Sequence, residues 1–373
     1  MKIKYIVPLL LLVISTFLAG CAAEKKTNIN EVKDTATPPS ERLKIFTTVF
    51  PLQDFTEKIG GEHVEVLSVF PVGTDAHTFE PTTKTMVEIA EADALLYIGA
   101  GVEGFIDAAI KILQDEKVQL VKTTEGMEIA KVQEEHHHGE DTHDTEHNHH
   151  IDSNFEESHS HDEHQHDAEH EHHEHDAEPE HNENHEDEDE YDHDHHHNHD
   201  DIDPHVWLDP QLAIELAEEV LHTLEELKPE AKEEFKRNYD ELVVSLQDLD
   251  EEFKSVIDQS SKKEILVSHA AYSYWESRYG IKQISVHGLS PTNEPTQKQL
   301  TTIINTAKQY DIKFVIFDQN VTSKIAEMVK KEINAEALTL HNLESRTEDD
   351  AKSGADYFSI MRKNLETLKK ALH

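Results

Sequence analysis

The stretch from His136 to Asp200 holds 22 of the chain's 30 histidines and 25 acidic residues, with no lysine or arginine. Nothing in it can bury enough apolar surface to offset the entropy of ordering the backbone. Any folded core must be built by the flanking segments, and the stretch reads as a disordered insertion spanning 132–202. It carries −25 of the formal −44 on the 373-residue chain, which leaves −19 elsewhere. Nucleic acid binding draws on a basic surface that such a chain lacks, so cations are the natural partners.

The flanks are apolar enough for two ordinary domains. Before the insertion, short β-rich runs alternate with helical periods. Leu43–Val49, Val64–Phe70, Ala94–Ile98 and Val118–Val121 read as strands, and Leu52–Ile59, Thr83–Ala92 and Phe105–Leu113 as helices. Order resumes at Asp203 with helical spacing over Leu212–Leu227. After the break at Pro229, Glu230–Ile257 follows as one helix, about 42 Å long at 1.5 Å per residue. Alternation then returns, with strands Ile265–Val267, Gln283–Val286, Phe314–Phe317 and Ala337–Leu340 and helices Ala271–Tyr279, Gln297–Tyr310, Ser323–Ile333 and Tyr357–Leu372. This pattern predicts an α/β fold of two Rossmann-like (βα) lobes with parallel sheets, joined by the long helix. The expected boundaries are an N-terminal lobe over 42–131 completed by 203–228, a linking helix over 229–261, and a C-terminal lobe over 262–373.

The N-terminus has Lys2 and Lys4, an apolar run from Tyr5 to Leu18, and then Leu18-Ala19-Gly20-Cys21. Positive, apolar and small-residue zones in that order make a secretory signal over 1–20, too short for a comfortable membrane span. The last four residues resemble a bacterial lipobox, which makes Cys21 the expected lipidation site and 21–41 a flexible tether. The plainer alternative is a cleaved signal whose cysteine is incidental. Because Cys21 is the only cysteine, neither a disulfide nor a thiolate metal ligand is available.

Ligands of parallel α/β sheets bind beyond the carboxyl ends of strands, and that rule sorts the remaining histidines. His77 follows a strand, within Gly73-Thr74-Asp75-Ala76-His77-Thr78-Phe79-Glu80-Pro81. His269 ends another, in Val267-Ser268-His269. His205 precedes a helix, in Asp203-Pro204-His205-Val206-Trp207-Leu208-Asp209-Pro210, and Glu344 follows the last strand. Three imidazoles and a carboxylate suit zinc, a borderline ion satisfied by four N and O donors. A single histidine at a strand end is more often merely hydrogen-bonded. His63, His222 and His287 read as surface or satisfied core residues, and Trp207 as core filling.

These three histidine motifs, in this order, resemble the metal receptors of bacterial ABC importers, and most closely their zinc-specific ZnuA/AdcA branch. The resemblance runs from about Leu43 to His373 apart from the insertion. It implies two lobes joined by a rigid helix, with Zn(II) held in the cleft as transported ligand. It also implies delivery to a membrane permease with its ATPase, at the extracytoplasmic face of the cell membrane. By motif, His77, His205 and His269 are its imidazole ligands. The fourth position departs from the family patterns. Zinc-type relatives carry Asn-Pro-Leu-Glu and manganese-type relatives Leu-Asp-Pro-Leu-Gly, whereas this chain has His341-Asn342-Leu343-Glu344. Glu344 is the preferred fourth ligand and His341 its rival.

The insertion reads as a weak, accessory zinc collector, with clusters at His136, His137 and His138, at His172 and His173, and at His195, His196 and His197. Flexible ligands must be ordered on binding, so each such site is weaker than a preformed one. A solvated acidic loop without a metal role is the alternative. The sequence offers no His-Glu-x-x-His pair, nucleophile elbow or phosphate loop, and a four-ligand site without an open position is a carrier rather than a catalyst. The competing functions are a manganese receptor of the same family, a surface adhesin, and a zinc metallohydrolase that would need both Glu344 and His341 away from the metal.

Overall fold

The computed structural model describes residues 42–129, 202–320 and 323–373. The signal segment, Cys21, the tether and the insertion with its clustered histidines lie outside them.

Among the described residues, eight short strands form two parallel sheets with the same connectivity. The first contains β1 (Leu43–Thr47), β2 (Val64–Ser68), β3 (Ala94–Tyr97) and β4 (Gln119–Lys122) in the order β2-β1-β3-β4. The second contains β5 (Glu264–Val267), β6 (Lys282–Ser285), β7 (Phe314–Asp318) and β8 (Glu336–Leu340) in the order β6-β5-β7-β8. Helices α1 (Phe50–Gly60), α2 (Thr83–Ala90) and α3 (Ile106–Leu113) serve the first lobe. Two longer helices follow, α4 (Pro210–Leu227) and α5 (Lys232–Asp258). The second lobe has α6 (Ser273–Tyr279), α7 (Gln297–Gln309), α8 (Lys324–Glu332), α9 (Glu348–Ser353) and α10 (Tyr357–Leu372).

Residue types explain this layering. The four residues of β3, Ala-Leu-Leu-Tyr, are all buried, as expected of a strand covered on both faces. Side chains of β5 alternate between two cores: Ile265 and Val267 face the main one, while Leu266 joins a smaller cluster with Ala307 of α7 and Ala326 and Val329 of α8. The main core runs unbroken from Ile45 to Leu372 and so passes through both lobes.

Helix α5 carries that continuity. Phe235, Tyr239, Leu242, Leu246, Leu249, Phe253 and Ile257 form a buried stripe at helical spacing along its 27 residues, about 40 Å. The stripe packs on α1 and α4 of one lobe and on α6 and α10 of the other. Phe253 sits against both Trp275, 5.4 Å between ring centres, and Tyr279, 5.6 Å. The lobes therefore share a packed spine.

Most element boundaries lie within a few residues of the sequence expectation, and two differences have a plain physical reason. The strand β1 stops at Thr47 and α1 begins at Phe50, because Pro51 in the first turn presets the helical φ. The six-residue α9 has no apolar periodicity. It is started by a capping box in which Thr347 and Asp350 satisfy each other's backbone N–H groups.

In each sheet the chain leaves the first strand toward one edge and returns to the other side. The crevices open at the carboxyl ends between β1 and β3 and between β5 and β7.

Candidate metal centre

Those carboxyl ends bring four side chains together. A nitrogen from each of His77, His205 and His269 and an oxygen of Glu344 all lie within 4.8 Å of one another. His205 Nε2 is 3.4 Å from His269 Nε2 and 3.4 Å from Glu344 Oε1, and His77 Nε2 is also 3.4 Å from Glu344 Oε1. Three of the four are buried, His205 at 0% exposed, His269 at 1% and Glu344 at 3%, while His77 is partly exposed. His77 Nε2 is buried without a hydrogen-bond partner. An orphaned imidazole nitrogen facing two others and a carboxylate suits a borderline cation with three N donors and one O donor.

Local backbone chemistry aims three of the four. Asp75 Oδ1 accepts the N–H of His77 at 2.9 Å, Asp203 Oδ1 that of His205 at 2.9 Å, and Asn342 Oδ1 that of Glu344 at 3.2 Å. Each is an Asx turn placed two residues before the functional side chain. At the third turn Leu343 adopts φ +62°, a conformation unfavourable for a branched residue. Its side chain is fully buried, so core packing holds the strained turn that presents Glu344.

Two imidazoles are also fixed through their far nitrogens. His205 Nδ1 donates to Asp203 Oδ1 at 2.7 Å, and Asp203 in turn takes the Ser273 hydroxyl. His269 Nδ1 donates to Asp318 Oδ2 at 2.8 Å, and Asp318 also accepts from Ser268 and from the Tyr272 hydroxyl at 3.1 Å. The pair straddles the β5/β7 crevice. Carboxylate–imidazole pairs of this kind fix the tautomer and leave Nε2 free for a metal. Burial disfavours charge on His205, but Asp203 and Glu344 outweigh it and push its pKa up to about 9. Burial alone would raise the pKa of Glu344, yet His205 and His77 beside it hold the carboxyl well below the usual range.

His341, the rival fourth residue, points elsewhere. Its Nε2 donates to Asp350 Oδ2 at 3.1 Å and its Nδ1 accepts the Leu343 N–H at 2.9 Å. The structure thus seats it against α9, outside the four-residue cluster. His63 bonds Glu234 at 3.1 Å, His287 bonds Ser323 at 2.7 Å, and His222 is exposed. Trp207 does more than fill space. Its indole N–H donates to Asn342 O at 2.7 Å and its own carbonyl accepts from the Tyr357 hydroxyl at 2.7 Å, which ties the His205 segment to the Glu344 turn.

Comparison with known proteins agrees with this architecture. The family model described as "Zinc-uptake complex component A periplasmic", ZnuA, matches residues 45–371. This chain belongs to the ZnuA family. It is 33% identical over 362 residues to the zinc-binding protein AdcA of Streptococcus pyogenes, covering 97% of this chain and 60% of AdcA. The chain therefore spans about three fifths of the length of those AdcA relatives. It is also 27% identical over 343 residues to the high-affinity zinc uptake system protein ZnuA of Bacillus subtilis, covering 92% of each. Among solved structures, the Zn(II)-bound ZnuA-like domain of Streptococcus pneumoniae AdcA aligns with a TM-score of 0.62 at 27% identity, over 89% of this chain and 99% of that one.

Asp203, Asp318 and Asn342 support the cluster although no ligand motif in the sequence marks them for that role. The repeated spacing of an Asx residue two before the functional side chain was the available signal for Asp75, Asp203 and Asn342. Asp318 carried none, because only strand pairing brings it to His269.

Proposed function

We propose that the chain is an extracytoplasmic zinc receptor that binds one Zn(II) through His77, His205, His269 and Glu344 and delivers it to an ABC permease with its ATPase. The observation that carries this reading is the buried convergence of three imidazoles and one carboxylate between the lobes of a ZnuA-family chain. Four donors satisfy zinc without leaving a position for substrate water, which suits carriage rather than hydrolysis. Glu344 within the cluster weighs against the metallohydrolase reading. Three nitrogen donors favour zinc over manganese, which prefers oxygen.

Cys21 is proposed as the lipid-modified residue that keeps the receptor at the membrane surface. The histidine-rich segment is proposed as a collector of lower affinity that supplies the cleft site. The test is the metal content of full-length protein purified without added metal, followed by competition between Zn(II) and Mn(II). One zinc per chain, not displaced by excess manganese, is expected. Manganese at that stoichiometry, or no metal retained, would overturn the reading.

A further inference from the structure

We propose that Asn342 is a positioning residue that fixes Oε1 of Glu344 as the metal-facing oxygen while the Ala76 N–H holds Oε2 away, and that this two-point grip favours four-coordinate zinc over more highly coordinated ions such as manganese. This inference rests on the reading of Glu344 as a ligand. Both of its carboxylate oxygens are already engaged. Oε2 accepts the Ala76 N–H of the first lobe at 3.1 Å, and Oε1 accepts Asn342 Nδ2 of the second at 2.9 Å. Oε1 is also the oxygen that faces His77 and His205. Swinging Oε2 toward the same ion would break the Ala76 bond inside a site that is 3% exposed at Glu344, where a lost hydrogen bond is not replaced by water.

The side chain that holds Oε1, and with it the plane of the carboxylate, is chemically specific. Asn342 Oδ1 accepts the Glu344 N–H and Gln319 Nε2, its own N–H donates to Gln319 Oε1 at 3.0 Å, and its carbonyl takes the Trp207 indole. Only the amide Nδ2 is left over, and it goes to the carboxylate. The two other Asx turns of the site use aspartate, and each precedes a histidine. The third precedes a carboxylate, where an aspartate would set like charges side by side and a proline would have no side-chain donor. Zinc is content with one oxygen beside three nitrogens, whereas manganese gains from additional oxygens.

The experiment uses the full chain and its Asn342→Ser variant, in which a hydroxyl keeps the turn acceptor but lacks the reach of the amide. Zn(II) and Mn(II) affinities are measured by competition, and visible absorption of the Co(II)-loaded protein reports coordination number. Loss of an outer-shell partner costs about 10- to 100-fold in metal affinity. Zinc affinity of the variant should fall in that range while manganese affinity holds or rises, and the intense four-coordinate Co(II) bands should weaken. An unchanged zinc-to-manganese ratio with an unchanged Co(II) spectrum would overturn the proposal. Should the serine variant fail to fold, as judged by thermal unfolding without metal, Asn342→Asp decides by the same two readouts. Glu344→Gln runs alongside. Wild-type zinc affinity in that variant would show that Glu344 is no ligand, a failure of the underlying reading distinct from a failure at Asn342.

Discussion

The two strand-end loops that supply imidazoles from opposite lobes hold them in different ways. In the second lobe the ring of His269 is gripped by Asp318, itself held by Ser268 and Tyr272. In the first lobe His77 is set by a backbone Asx turn from Asp75, and its Nε2 makes no hydrogen bond. One loop brings a ring whose far nitrogen is gripped by a carboxylate, and the other a ring set through its backbone, with Nε2 facing Glu344 Oε1 at 3.4 Å. His205, in the segment leading into α4, shares the first arrangement through Asp203. Two of the three imidazoles are thus preset through their far nitrogens.

The largest effect should come from removing a preset donor. His205→Ala is expected to abolish tight zinc binding even with the histidine-rich segment intact, measured by competition against a chelator. A tight site that survives would break the comparison. Next come the groups behind the rings. Asp318→Ala should weaken zinc by about 10- to 100-fold, as is usual for loss of an outer-shell carboxylate. Asp75→Ala should cost less than Asp318→Ala, since it bonds only the His77 backbone. Equal losses would erase the distinction between the loops.

The pH dependence follows from the same contacts. His205 has its pKa raised from 6.5 to about 9, chiefly by Asp203 and Glu344 against the opposing cost of burial. Its protonated contacts therefore stabilise the metal-free fold fully below pH 6.5, and that contribution fades as pH rises through about 9. Zinc needs the neutral ring, so binding at pH 7.5 should expel about one proton from His205, and apparent affinity should climb toward pH 9. Calorimetry in buffers of different ionisation enthalpy measures this directly. No proton release at pH 7.5 would contradict it. A histidine without these neighbours would confine the loss of affinity to below about pH 6.5.

The smallest effect on the cleft should come from deleting Glu135–Asp201. One tight site should remain and the additional weak ones should vanish, whereas loss of the tight site would make the segment part of it.

Much of this was legible in the sequence, for identifiable reasons. Parallel strands covered on both faces, such as Ala94–Tyr97, are nearly continuous apolar runs, and the stripe from Phe235 to Ile257 has an unmistakable period. His77, His205 and His269 lie in motifs at strand and helix ends, where α/β folds place ligands. The short α9 escaped because its signal is a capping box rather than a hydrophobic pattern. The fourth position stayed open between Glu344 and His341 because they are three residues apart on one turn. Which of them faces inward depends on the left-handed backbone at Leu343 and on the pairing of His341 with Asp350. Asp318 was invisible for a similar reason: its distance from His269 is 49 residues in sequence and 2.8 Å in space.

The most direct measurement is a structure of the zinc-loaded full-length chain with anomalous scattering at the zinc edge. The account predicts one strong peak between the lobes, about 2.0–2.2 Å from a nitrogen of each of His77, His205 and His269 and from one oxygen of Glu344. A fourth position filled by water or by His341, with Glu344 turned away, would contradict it.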